Sequence, residues 1–84
     1  MNIVNVTPLM PTFRDILCTT FRLSLDCETV EEAARIACEN HGWPTTNAEA
    51  LDCVVHVVQS FYVLNTSTDV KFWAGEFFGL VLAE

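Results

Sequence analysis

Apolar residues recur every three or four positions between residues 12 and 26, which is the spacing of one face of a helix. They are Phe13, Ile16, Leu17, Phe21 and Leu25. The polar residues of the same stretch form an opposite stripe, made of Asp15, Thr19, Arg22 and Asp26. The segment 21–25 also alternates like a strand, but the polar stripe fits only the helical period. We therefore predict a helix near residues 12–26.

A second helix is predicted near residues 29–41. Thr29 and Glu32 form a capping box, in which a hydroxyl and a carboxylate each accept a free backbone N–H at a helix start. The inner stripe is made of Val30, Ala33, Ala34, Ala37 and His41. Gly42, followed by Trp43 and Pro44, is typical of a helix end.

A third helix is predicted near residues 46–63, starting from a second capping box at Thr46 and Glu49. Its polar residues share one stripe, namely Glu49, Asp52, His56, Gln59 and Ser60. The valines at 54–55 and 57–58 favour a buried strand by propensity. However, a strand has a period of two, which the polar stripe does not follow.

A fourth helix is predicted near residues 68–82 from helical spacing of Val70, Trp73, Ala74, Phe77, Phe78 and Val81. Gly75 and Gly79 weaken this prediction because each glycine within a helix costs about 0.5–1 kcal/mol relative to alanine. The predicted fold is thus a small all-α four-helix domain, and the alternative is an α+β fold with strands near 17–25 and 70–82.

We expect one domain over residues 1–84, with residues 1–11 irregular or extended because they contain Pro8 and Pro11. A chain of 84 residues with 51% hydrophobic residues has enough apolar material for one core. The predicted core consists of Leu17, Phe21, Ala34, Ala37, Leu51, Val55, Val58, Tyr62 and Trp73.

The charge of the chain excludes one class of partner. Eleven carboxylates against four lysines and arginines give a net charge of −7, so a phosphate backbone repels this protein and direct nucleic-acid binding is not expected. The longest apolar stretches are far shorter than the roughly 20 residues of a membrane span. We therefore expect a protein that neither crosses a membrane nor binds nucleic acid directly.

No sequence motif indicates catalysis, so we expect a protein that is not an enzyme and has no cofactor or metal. Glu49, Asp52 and His56 line one helical face, but this spacing arises in any amphipathic helix. The four cysteines include no C-x-x-C pair, and the first residues do not resemble a signal peptide. Reduced thiols and a cytoplasmic location are therefore expected.

A cluster of acidic residues surrounds the predicted start of the second helix. Its members are Asp26, Glu28, Glu31, Glu32 and Glu39, with Arg35 as the only base in that span. Carboxylates are favoured at helix N-termini, which is one sufficient reason for their presence. The alternative is that this acidic cluster binds a basic protein or nucleoprotein complex by presenting carboxylates where that partner expects phosphates.

Aromatic residues are concentrated near the C-terminus, where one helix cannot turn all of them inward. They are Phe72, Trp73, Phe77 and Phe78. We expect either complete burial or an exposed apolar patch that contacts a partner. The simplest use of such a patch is a homodimer, and the alternative function is a regulatory or structural adaptor that docks through it.

In size, acidity and lack of catalytic motifs, the chain resembles the small acidic inhibitors that bacteriophages and mobile elements encode, including anti-CRISPR proteins. The resemblance is based on whole-chain character and on the acidic cluster, and it transfers no functional residue. It implies a stoichiometric inhibitor in the host cytoplasm that blocks the basic nucleic-acid-binding surface of a host complex.

Overall fold

The structure, a computed structural model, describes residues 5–60 and 67–83. It contains four α-helices, α1 Met10–Leu23, α2 Val30–Asn40, α3 Ala48–Gln59 and α4 Ser67–Leu82, and a 3₁₀ turn over Thr7–Leu9 leads into α1. The described residues contain no strand. The predicted all-α four-helix fold is confirmed, and the alternative with strands near 17–25 and 70–82 is wrong.

The N-terminal segment differs from the prediction, because residues 7–11 are helical and not irregular or extended. Pro8 and Pro11 each lie in the first turn of a helical element. Backbone N–H groups in that turn make no hydrogen bond within the helix, so the N–H that proline lacks is not needed there. The prolines therefore begin helices here. Val6 is buried, and a Cβ built on Gly75 would lie 4.0 Å from Val6 Cγ1, so this segment packs against α4.

Of the two predicted capping boxes, the first has its threonine at the N-cap of the helix as predicted. The Thr29 hydroxyl accepts a hydrogen bond of 3.1 Å from the Glu32 backbone N–H at the start of α2. The start of α3 lies one residue later than predicted, because Asn47 Oδ1 accepts from the N–H groups of Glu49 at 2.9 Å and Ala50 at 3.4 Å. Asn47 and not Thr46 is therefore the N-cap.

Helix α2 ends in a turn that requires glycine. Gly42 has φ of +79°, the left-handed conformation that side chains with a Cβ rarely adopt. Its N–H donates to Glu39 O at 3.1 Å, and the Trp43 N–H donates to Cys38 O at 2.8 Å, which together form a Schellman motif. This turn directs the Trp43 ring onto Phe78, with centroids 5.0 Å apart.

A cluster of aromatic rings joins the first and last helices. Phe13 of α1 packs against Phe77 and Phe78 of α4, with ring centroids 5.6 Å and 6.1 Å apart. All three side chains are fully buried. Around them, α2 contributes small residues and α3 contributes valines, namely Ala34, Ala37, Cys38, Val54, Val55, Val57 and Val58.

Most of the predicted core is confirmed. Leu17, Ala34, Ala37, Val55 and Val58 are buried, while Leu51 and Trp73 are half-buried and pack against the core. Tyr62 lies outside the described residues.

Phe21 was wrongly assigned to the core, because it remains 40% exposed. Helix α1 turns Thr20 inward in its place, and the Thr20 hydroxyl donates to Ile16 O at 2.7 Å. That bond satisfies the buried hydroxyl, so a polar residue can occupy a core position.

Replacing Val55 by Asp is expected to destabilise the domain by about 3–5 kcal/mol, because it places an unpaired carboxylate in the core. The matched control is Gln59→Glu, which adds the same charge at an exposed position of the same helix. Urea denaturation measures both. Equal midpoints for the two variants would show that the faces of α3 are assigned wrongly.

Two glycine substitutions are expected to act in opposite directions. Gly42→Ala should lower the free energy of unfolding by about 1–2 kcal/mol because of its positive φ. Gly79→Ala should raise it by about 0.5–1 kcal/mol, because Gly79 lies in a helix and an added Cβ meets no atom within 4 Å. Thermal unfolding of both variants checks the signs, and a stabilised Gly42→Ala would contradict the Schellman turn.

Candidate functional site

The acidic cluster lies on the turn between α1 and α2 and along the outer face of α2. Glu31 and Glu32 occupy the first turn of α2, and Glu39 is near its end. Asp26 and Glu28 lie in the preceding turn, where the Asp26 N–H donates to Leu23 O at 2.9 Å. All five side chains are exposed, so the cluster is available to a partner.

Of these five carboxylates, only that of Glu39 forms an ion pair within the described part of the chain. Within residues 5–60 and 67–83 the structure shows one ion pair, from Arg35 Nη1 to Glu39 Oε1 at 3.8 Å, between two exposed side chains one helical turn apart. Such a pair contributes only about 0.3–0.5 kcal/mol. Asp26, Glu28, Glu31 and Glu32 therefore keep their negative potential directed toward solvent.

The aromatic set at the C-terminus does not form one surface. Phe77 and Phe78 are fully buried against Phe13, so the burial alternative holds for these two side chains and neither is available to a partner. Adjacent positions on a helix point about 100° apart, and the core takes the side of α4 that carries these two rings. Phe72 is 57% exposed and remains a surface residue.

Trp73 is half-buried and lies between two rings. Its ring centroid is 4.4 Å from that of His56 on α3 and 5.2 Å from that of Phe72. His56 therefore makes an aromatic contact that joins α3 to α4. In the part of the chain that the structure describes, no group of three or more His, Cys, Asp or Glu side chains could hold a metal ion.

His41 makes a structural hydrogen bond at the C-cap of α2. Its Nε2 lies 2.9 Å from the Thr19 hydroxyl oxygen of α1. The sequence placed Thr19 on a solvent-facing stripe, and the structure instead uses it to tie α1 to α2. This contact is formed between residues far apart in the chain, so no local pattern reveals it.

Sequence reasoning missed a second acidic patch, formed where α3 and α4 pack together. Glu49 and Asp52 of α3 and Glu76 of α4 are all exposed, and their charges add to the effect of burial in raising the pKa of Cys53. Glu76 belongs to this patch only through the pairing of the two helices. The patch extends the negative potential of the molecule beyond the acidic cluster.

Sequence reasoning also missed an apolar groove on the outer side of α1, with a volume of about 300 Å³. Its walls are formed by Leu17, Cys18, Phe21, Arg22, Leu25 and Val58. The signal in the sequence was the stretch 21–25, where the helical and strand periods compete. Phe21, which was predicted in the core, and Leu25, which belongs to the same apolar stripe, line this groove instead.

Two of the four cysteines are buried thiols that resist ionisation. Burial, followed by the charge of Glu39, raises the pKa of Cys38 to about 12. Burial, followed by the charge of Glu76, raises the pKa of Cys53 to about 11. Both therefore stay protonated near neutral pH, and a protonated thiol is a poor nucleophile. Cys18 is exposed and Cys27 is half-buried.

In comparisons with known proteins, no family model, no curated protein and no solved structure matches this chain. Among the described residues, no helix is both long enough and apolar enough to span a membrane.

The raised thiol pKa values predict a loss of stability in alkali. A buried thiol that ionises less readily than in the unfolded chain stabilises the fold fully below its ordinary pKa of 9.0, and this contribution is lost as pH rises toward about 12 for Cys38. The difference in urea midpoint between about pH 8 and about pH 10.5 should be smaller in Cys38→Ala than in the wild type. An unchanged difference would contradict the assignment.

Proposed function

We propose that this protein is a non-enzymatic acidic interaction module that binds the basic, nucleic-acid-binding surface of another protein or nucleoprotein complex. The observation that carries the proposal is the acidic cluster, with five exposed carboxylates of which only Glu39 is ion-paired within the described residues. A surface that binds phosphates offers lysines and arginines, and these carboxylates present the same sign of charge as phosphates.

The net charge of −7 supports this choice of partner. Charge of one sign over a whole small protein accelerates association with an oppositely charged surface by about 10- to 1,000-fold. The acidic cluster and the second patch of Glu49, Asp52 and Glu76 both contribute to this attraction. The same negative charge repels the phosphate backbone, which disfavours direct binding to nucleic acid. The protein would therefore affect nucleic-acid binding only through its partner.

A binding role without catalysis agrees with the contacts and burial of the histidines and of two cysteines. His41 is hydrogen-bonded to Thr19 and His56 packs on Trp73, so both histidines have structural contacts. Burial keeps Cys38 and Cys53 protonated. A stoichiometric inhibitor of the kind that phages and mobile elements encode, including anti-CRISPR proteins, is the role that the resemblance of the chain implies.

The test compares two double charge reversals that change the net charge equally. Glu31→Lys with Glu32→Lys alters the acidic cluster, and Glu49→Lys with Asp52→Lys alters the second patch; each raises the charge from −7 to −3. All four residues are exposed, so folding should change little. Purified basic nucleic-acid-binding proteins, captured from the native host by the wild-type chain, serve as partners.

The first variant should associate about tenfold more slowly, with a flatter dependence on ionic strength, and should lose the ability to displace labelled nucleic acid from the partner. The second variant should retain most of both activities. Surface plasmon resonance gives the rates, and fluorescence anisotropy of the nucleic acid gives displacement. An unchanged first variant, or a partner that binds the protein and nucleic acid together, would contradict the proposal.

A further inference from the structure

The outer face of α1 is electrically balanced, unlike the rest of the molecule. Two bases, Arg14 and Arg22, and the acid Asp15 are exposed on α1, and Asp26, which also belongs to the acidic cluster, follows in the next turn. Because these four charges cancel, the net charge of −7 comes entirely from the remainder of the chain. Two copies of the protein repel each other generally, but they can approach through this face with little local repulsion.

The centre of this balanced face is the apolar groove. Leu25 is 76% exposed at one end of it, and Phe21 contributes part of its ring surface. Sites for small molecules normally combine an apolar lining with several convergent polar groups. The side chains of this groove include one charged group, Arg22, so its lining fits apolar side chains of another protein better than a polar ligand.

We propose that a second copy of the chain covers this groove, with the two α1 helices antiparallel about a twofold axis close to Cys18. Asp15 and Arg22 are seven residues apart, so they point in directions that differ by only about 20°. Cys18 lies between them. When a helix pairs with an antiparallel copy about this centre, Arg22 of each copy comes opposite Asp15 of the other.

The apolar residues follow the same pairing. In this register Phe21 of each copy lies beside the small part of Leu17 of the other that lines the groove, on the edge of α1 away from the ion pairs. The twofold axis repeats each contact, giving two ion pairs and two apolar contacts, with the two copies of Cys18 near the axis. The pattern is complementary to itself only when the helices run in opposite directions, because parallel copies would place Arg22 beside Arg22.

Charge complementarity selects a second copy over other partners. A basic helix in the groove would meet Arg14 and Arg22, and an acidic helix would meet Asp15 and Asp26 and the overall negative field. A helix carrying both signs in this order satisfies Asp15 and Arg22, and α1 itself is such a helix. The contact involves one helix of 14 residues on each copy. It therefore buries less area than the about 800 Å² per partner of a standard interface. The dimer is therefore weak.

The first test is charge swapping, measured by sedimentation velocity over a series of protein concentrations. Asp15→Arg and Arg22→Asp each place like charges opposite one another, and each should weaken dimerisation about tenfold. The double variant restores two opposite pairs and should restore the dimer. Lys71→Glu is the matched control, because it changes the net charge as Arg22→Asp does at an exposed position on α4.

The second test uses Cys18 as a reporter of the axis. Mild oxidation should join two copies through Cys18, and Cys18→Ser should remove this product while Cys27→Ser retains it. A wild type that stays monomeric and is not cross-linked would overturn the proposal. It would also be overturned if Arg22→Asp and Lys71→Glu weakened dimerisation equally, or if the double variant did not recover, since net charge alone would then explain the result.

Discussion

The packing of Phe13 against Phe77 and Phe78 is the contact on which the rest of the structure depends. It joins the first helix to the last, and all three rings are fully buried. Trp43 closes the cluster from the turn after α2, whose direction is set by Gly42. A domain of this size buries a limited surface, so a few large side chains must supply much of its stability.

The other two helices are adapted to this aromatic centre by size. The alanines of α2 allow α1 to approach closely, and the His41 to Thr19 hydrogen bond fixes the two helices at one end. The valines of α3 fill the space beside α4, and the contact between His56 and Trp73 extends that packing to the surface. These two contacts thus lie at the edges of the apolar core, where part of each group remains accessible to water.

With the rings of Phe13, Phe77 and Phe78 buried, two surfaces of different charge remain exposed. One is the acidic cluster at the start of α2, whose charges would steer a basic partner. The other is the outer face of α1, where bases and acids balance around an apolar groove. The proposed basic partner would be attracted by the net negative charge of the first surface, whereas the proposed second copy would meet paired charges of both signs on the second.

The sequence alone determined the four helices and several of their ends, since periodicity, the Thr29 cap and Gly42 act through neighbouring residues. It also determined the exposure of the acidic cluster, because carboxylates without partners stay in water. Tertiary packing decided which apolar residues are buried: α1 turns Thr20 inward and leaves Phe21 partly exposed, while α4 buries Phe77 and Phe78 and exposes Phe72. More apolar residues were available than one side of each helix can hold, so the choice depended on which neighbouring helix each side met.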